Sequence, residues 1–308
     1  MPPLTAIALL LAGIALVIVG ADAFFRGLVA VAARLSLPAF VVTVVLSGFE
    51  LENLAAGIAA NAKDLPGAAA GTFLGGTTFL AAGVAGLGAL IAPLQTRLPL
   101  PALAWTAAAP LPLVLLALDG TLSRVDGSLL LLWFLIALTG LARSGRSLLA
   151  TEPTETSSRP RVLVLLVAGL GVLTLGGELL GEGIRKTVSQ FGVSATLLGN
   201  TAVAASVEAE ELARVALPAR RGRSDVALAN VLGTVVHFVA FNAGVIALVQ
   251  PLPIDAATRH LHLPAALVAT AALCTLLATR GGLGRLEGGV LLALYAAYLV
   301  LALTGITI

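Results

Sequence analysis

The chain has 308 residues, of which 58% are hydrophobic and only 11% charged, with a net charge of +2. A soluble globular domain carries about 25% charged residues, so a soluble fold is excluded. Long continuous apolar runs exclude a barrel of ~10-residue alternating strands, and a single cysteine, Cys274, excludes a disulfide framework or a thiol metal site.

A bilayer core takes roughly 20 apolar residues per helix. Charges and turn residues cut the chain into ten predicted spans: 4–21 (running on polar to about 33), 38–62, 66–94, 99–118, 127–142, 162–180, 191–215, 225–250, 262–279 and 286–306. The first lacks the basic start of a cleavable signal peptide and leads through Gly20-Ala21-Asp22 into further structural chain. Between the fifth and sixth lies 143-RSGRSLLATEPTETSSRPR-161, the longest loop, rich in Ser, Thr and Pro and expected to be a cytoplasmic linker. With both termini outside, the outer surface keeps only Lys63, Arg124, Arg185, Lys186 and Arg259 of the 18 Lys and Arg. The positive-inside rule favours that orientation. The expected location is the plasma membrane, crossed many times.

The two halves repeat. The opening 11-LAGIALVIVGADAFFRG-27 aligns with 167-VAGLGVLTLGGELLGEG-183 at an offset of 156, pairing Gly13 with Gly169, Gly20 with Gly176, Asp22 with Glu178 and Gly27 with Gly183. At an offset of 158, 50-ELENLA-55 falls on 208-EAEELA-213 and Gly75 on Gly233. The two-residue difference is placed near Leu35–Pro38. Five spans per half is odd, so the second half enters the membrane from the other side. The predicted fold is all-α and integral to the membrane: ten transmembrane helices as two inverted five-helix repeats, 1–142 and 162–308, joined by linker 143–161. Such folds are typical of secondary transporters, with the ion site at mid-depth between the repeats.

Glu50 and Glu52 lie about twelve residues from each end of the second span, at the midplane for a rise of ~1.5 Å per residue. Glu208, Glu210 and Glu211 lie just past the middle of the seventh. A carboxylate there costs at least ~2.5 kcal/mol. No Lys or Arg falls centrally in any span, and the nearest, Arg214, is one turn beyond Glu211 towards the cytoplasmic end. The expected partners are therefore bound cations, protons or both. Oxygen ligands suit Ca²⁺ or Na⁺, and no thiolate or His cluster favours a softer metal. Glu50 shares a helix face with Asn53, and Glu208 with Glu211, while Glu52 and Glu210 point away on a regular helix. The helix could instead be broken here, and a neutral, hydrogen-bonded acid is the alternative for each carboxylate.

In the third span Gly71, Gly75 and Gly76 are interleaved with Thr72, Thr77 and Thr78. In the eighth, Asn230, Gly233, Thr234 and His237 recur at helical spacing. Small residues let helices approach, and their carbonyls and hydroxyls can ligate an ion. Plain helix packing is the alternative for the Gly and Thr residues, and a satisfied buried histidine for His237. His260 and His262 are expected in an outer loop.

On these residues the chain resembles the cation/calcium exchanger superfamily, in particular its prokaryotic sodium/calcium exchangers. The stretch 20-GADAFFRG-27 is similar to the family's Gly-Ala-Asp opening. The stretch 211-ELARVALPARRGRSDVALANVLGT-234 is similar to its second alpha-repeat, with Asp225, Ala227, Asn230, Val231 and Gly233 at matching positions. The signature Thr-Ser-x-Pro-Glu is absent from both repeats. The match puts Glu211 at the family's ion-binding Glu and Asn53 at its counterpart. Glu50 and Glu208 stand where the family has Ser, and Leu80 and Phe238 replace a polar residue.

The resemblance implies a secondary antiporter, with no enzymatic activity and no catalytic residues, exchanging Ca²⁺ or a related small cation for Na⁺ or H⁺ by alternating access. Glu50, Glu208 and Glu211 are the expected core metal ligands, supported by Glu52, Asn53 and Glu210. Thr77, Thr78, Asn230, Thr234 and His237 are secondary candidates. No cofactor is expected beyond the transported cations. The partners are the lipid bilayer and small inorganic cations, with no nucleic acid and the oligomeric state left open. A same-fold, proton-coupled transporter of another cation and a non-transporting relative are the alternatives. An intramembrane enzyme would need a pair of His with an acid at ligand spacing, which the sequence lacks.

Overall fold

The computed structural model describes residues 3–34, 50–144 and 159–304. Residues 38–49 of the second predicted span, the Leu35–Pro38 turn and most of the linker, 145–158, lie outside the described residues. The chain forms α1 (Pro3–Arg34), α2 (Leu51–Ala62), α3 (Pro66–Ile91), α4 (Leu100–Asp119), α5 (Arg124–Ser144) and α6 (Arg159–Phe191). It continues as α7 (195–207), α8 (Ala209–Arg220), α9 (Ser224–Val249), α10 (Thr258–Arg280) and α11 (Arg285–Thr304). Among the described residues, eight of these helices are long and apolar enough to cross a membrane. An all-helical membrane protein is thus what the composition required. One small departure is a two-residue antiparallel pairing of β1 (Thr121–Leu122) with β2 (Leu252–Pro253).

Two boundaries differ from the sequence reading. α6 runs to Phe191 rather than stopping near 180. Its polar end is held by ion pairs from Glu182 to Arg185 at 2.8 Å and to Lys186 at 3.5 Å, three and four residues on. The seventh span is not one helix, because it breaks at Glu208 between α7 and α8. His260 and His262 also sit inside α10, in a wide π turn at Thr258–His262, rather than in a loop. His262 is buried there and bonds through Nδ1 to the Tyr298 hydroxyl at 3.0 Å.

The spacing of 158 recurs in the coordinates. α2 and α8 are both 12 residues long. α3 and α9 are both 26 residues long. α3 widens into a π turn at Phe79–Val84 and α9 at His237–Asn242, the same place in each. Even the turns match. Asp64 (φ 58°) before α3 and Gly222 (φ 75°) before α9 both adopt the left-handed conformation, which Asp tolerates better than most side chains. α3 and α9 form the core, with 78% of each buried, whereas the flanking α5, α6 and α11 are about a third buried. Fully buried Phe73, Leu74, Leu80, Leu228, Leu232 and Phe238 fill the centre.

α1 and α6 pack along a seam of glycines seven residues apart. A Cβ added to Gly13, Gly20 or Gly27 would strike Leu180, Leu173 or Leu166 respectively, so the helices run antiparallel. The contacts are reciprocal: Gly169 meets Phe24, Gly176 meets Val17 and Gly183 meets Leu10. In a membrane, where lipid is as apolar as Leu, such close backbone approach is the main attraction between helices. The Lys63–Glu178 ion pair at 2.6 Å ties the end of α2 to α6 beside this seam.

At Gly176 an added Cβ would lie 2.5 Å from the Val17 backbone nitrogen, whereas at Gly171, on the same helix, it would meet nothing within 4 Å. Gly176→Leu is therefore expected to lower the thermal unfolding midpoint in detergent, by at least the ~1–3 kcal/mol of overpacking. Gly171→Leu should leave it unchanged. Equal midpoints for the two variants would contradict the seam.

Candidate functional site

Glu50 stands at the start of one helix, and Glu208 stands where a helix begins again. Glu50 has φ −85°, ψ 74° and precedes α2. Glu208 has φ −80°, ψ 2° and separates α7 from α8. The acidic clusters therefore occupy the first turns of α2 and α8, where the positive end of the helix dipole favours negative charge. Neither Glu50 nor Glu208 caps its own helix through its side chain. Both carboxylates are aimed at other elements instead.

The two helix starts meet. Asn53 of α2 donates through Nδ2 to Glu208 Oε1. Arg214 of α8 donates through a single nitrogen, Nη1, to Glu50 Oε1 at 3.2 Å and to Glu211 Oε1 at 2.6 Å. Asn230 of α9 donates to Glu211 Oε2 at 2.5 Å. Asn242, on the π turn of α9, donates to the backbone oxygen of Glu50 at 3.4 Å. Glu50, Glu208, Glu211 and Asn53 are each at most 1% exposed.

This network overturns one expectation. The acids are not without a protein cation, because the Arg214 guanidinium bridges Glu50 and Glu211. Counting residues placed Arg214 beyond the site, but its long side chain reaches back one turn onto Glu211, with which it shares a helix face. Asn242 was also missed. Its position in the other half is Val84, so a search for repeated polar residues passes over it. Its signal was an amide inside an apolar run.

Among the described residues, several buried polar atoms of these elements have no hydrogen-bond partner: Glu50 Oε2, Glu208 Oε2, Asn53 Oδ1, Asn242 Oδ1 and Thr234 Oγ1. Buried oxygens are normally satisfied, and all five are acceptors suited to a hard cation. No three His, Cys, Asp or Glu side chains form a ready metal cage among the described residues, since a guanidinium stands between two of the acids.

The remaining candidates divide. Glu52 is buried, 4% exposed, in the first turn of α2. Glu210 belongs to α8, and its side chain lies outside the described residues. Thr77 and Thr78 donate to the carbonyls of Phe73 and Leu74 in their own helix, at 2.6 and 2.9 Å. That spends their protons and leaves their lone pairs as possible ligands. His237 bonds through Nδ1 to the Gly233 carbonyl at 2.9 Å and packs edge-on against Phe134.

A helical membrane bundle with buried carboxylates converging at paired helix starts is the architecture of an ion-transport protein. Its family is established by comparison. The chain belongs to the sodium/calcium exchanger protein family, whose profile matches residues 5–142 and 161–304. It is therefore a member of a cation-antiporter family, as its alpha-repeat residues implied. It is 29% identical over 296 residues to an uncharacterised membrane protein of Methanocaldococcus jannaschii, covering 92% of this chain and 94% of that protein. It is 27% identical over 317 residues to CaxA of Alkalimonas amylolytica, covering 96% and 98%. Its fold is that of the sodium-calcium exchanger NCX_Mj, in a structure soaked with Na⁺ and Sr²⁺, with a TM-score of 0.64 at 24% identity over 97% of this chain and 99% of that one.

Asn53 supplies the donor to Glu208 Oε1 in a fully buried setting. Removing it in Asn53→Ala is expected to cost about 1–3 kcal/mol, the usual penalty for a buried group left unmade. Chemical denaturation in detergent measures this. An unchanged stability would remove the bond from the account.

Proposed function

We propose that the protein is a secondary active antiporter of the plasma membrane that exchanges Ca²⁺ or a related small cation for Na⁺ or H⁺ by alternating access. Glu50, Glu208 and Glu211 are the core ligands, with Glu52, Asn53 and Glu210 supporting them. Asn230 and Thr234 join these, with Thr77, Thr78 and His237 further out. Ten spans in two inverted halves, 1–142 and 162–308, carry this site between them, with linker 143–161 in the cytoplasm and both termini outside. The matched spacing of α2–α3 and α8–α9 and the reciprocal α1–α6 seam support that arrangement.

The observation that carries the reading is the pair of unpartnered buried carboxylate oxygens, Glu50 Oε2 and Glu208 Oε2, beside the unpartnered amide oxygens of Asn53 and Asn242. Buried anionic oxygens need positive charge, and a cation passing through supplies it in turn from each side. Ions that compete for the same carboxylates cannot bind together, which couples their movement. The α1–α6 seam is the element suited to slide, because glycine faces present few side chains to interlock.

Glu208→Gln removes one anionic oxygen at nearly constant volume. Cation flux into proteoliposomes is expected to fall to the protein-free background, with helical content by circular dichroism unchanged. Flux at the wild-type rate in that variant would sink the assignment.

A further inference from the structure

We propose that Arg214 is a tethered competitor for the transported cation: its guanidinium occupies the Glu50–Glu211 bridge in this state and has to leave before a cargo ion can join those two carboxylates. The inference rests on the antiporter reading and deepens it. The geometry is specific. One nitrogen, Nη1, touches both carboxylates, 3.2 Å from Glu50 Oε1 and 2.6 Å from Glu211 Oε1. A single positive atom shared by two carboxylate oxygens stands where a bridging metal ion would stand.

The surroundings distinguish a movable plug from a structural salt bridge. Glu211 has both oxygens engaged, one by Arg214 and one by Asn230. Among the described residues, Glu50 and Glu208 each keep an oxygen without a hydrogen-bond partner. The site is thus part closed by its own cation and part open. Arg214 itself is 42% exposed, while the acids it touches are 1% or less. It enters the buried cluster from an accessible flank, so withdrawing it moves its charge out of the bundle rather than deeper into it. A guanidinium left in place would also repel any incoming cation at close range. Binding of cargo and withdrawal of Arg214 are then one exchange, in which the two carboxylates keep a positive partner throughout.

A competitor held on a short tether acts at high effective concentration, and removing it strengthens apparent binding of the ion. Charge-assisted hydrogen bonds of this kind are expected to weaken cargo binding by roughly tenfold to a hundredfold. Isothermal titration of the full-length protein in detergent with Ca²⁺, Na⁺ and Mn²⁺ tests this on wild type, Arg214→Gln and Glu208→Gln. Arg214→Gln should bind its preferred cation at least tenfold more tightly than wild type, and binding in that variant alone counts the same way. If Glu208→Gln abolishes wild-type binding but Arg214→Gln binds equally or more weakly, the competitor is refuted and the antiporter site stands. If neither wild type nor Arg214→Gln binds any of the three cations, both readings fall. A second measurement needs no variant. Phenylglyoxal labelling of Arg214 in the wild-type protein, read by peptide mass spectrometry, should speed up severalfold with saturating Ca²⁺. A rate that is unchanged or reduced would overturn the proposal.

Discussion

A carboxylate buried in a membrane bundle has to be met by positive charge or neutralised, since neither lipid nor apolar packing can solvate it. Glu50, Glu208 and Glu211 are each at most 1% exposed and converge from two halves of the chain. Much of the local structure follows from that demand. Helices start just after Glu50 and Glu208, so the acids sit at or in first turns where the helix dipole supports them. Asn53, Asn230 and Asn242 bring amide donors from α2 and α9. Arg214 supplies a full charge from α8. What those donors do not reach, Glu50 Oε2 and Glu208 Oε2, is the chemistry left for an ion.

The scaffold around the site combines deeply buried helices with a seam of close backbone contact. α3 and α9 are the most buried of the eight membrane-length helices, and the π turn of α9 places Asn242 against Glu50. α1 and α6 lie against each other through glycines at seven-residue spacing, with backbone contacts instead of interlocked side chains. The acids sit at the starts of α2 and α8, which pack against those core helices, and the smooth antiparallel pair lies beside α2. Alternating access needs both kinds of element.

Much of this was legible before any coordinates. Hydropathy placed α3, α4, α5, α9, α10 and α11 to within a few residues, because a membrane-spanning run is the strongest signal a sequence carries. The offset of 158 read from ELENLA and EAEELA reappears in the α2, α3, α8 and α9 boundaries. The glycine pairs Gly13/Gly169, Gly20/Gly176 and Gly27/Gly183 form the α1–α6 seam, although repetition alone did not say that they face one another. The misses have physical causes. Hydropathy averages over a window, so it carries a helix through Glu208 where local geometry breaks it, and it ends α6 where ion pairs continue it. Arg214 was placed by its Cα, but an arginine head group acts a full turn away from its backbone. His237 shows the opposite limit, for its ring nitrogen is occupied by its own helix.

Within the sodium/calcium exchanger family, the asymmetry between Asn53 and Glu211 sets this chain apart from the motif it resembles. Which ion drives the cycle is therefore the decisive question. The most direct measurement is Ca²⁺ accumulation by wild-type protein in sealed proteoliposomes, with an outward Na⁺ gradient and an outward proton gradient imposed separately. The account predicts uphill Ca²⁺ or related-cation uptake under at least one gradient and none when both are collapsed. Absence of gradient-driven uptake of any such cation, from correctly inserted and folded protein, would contradict it.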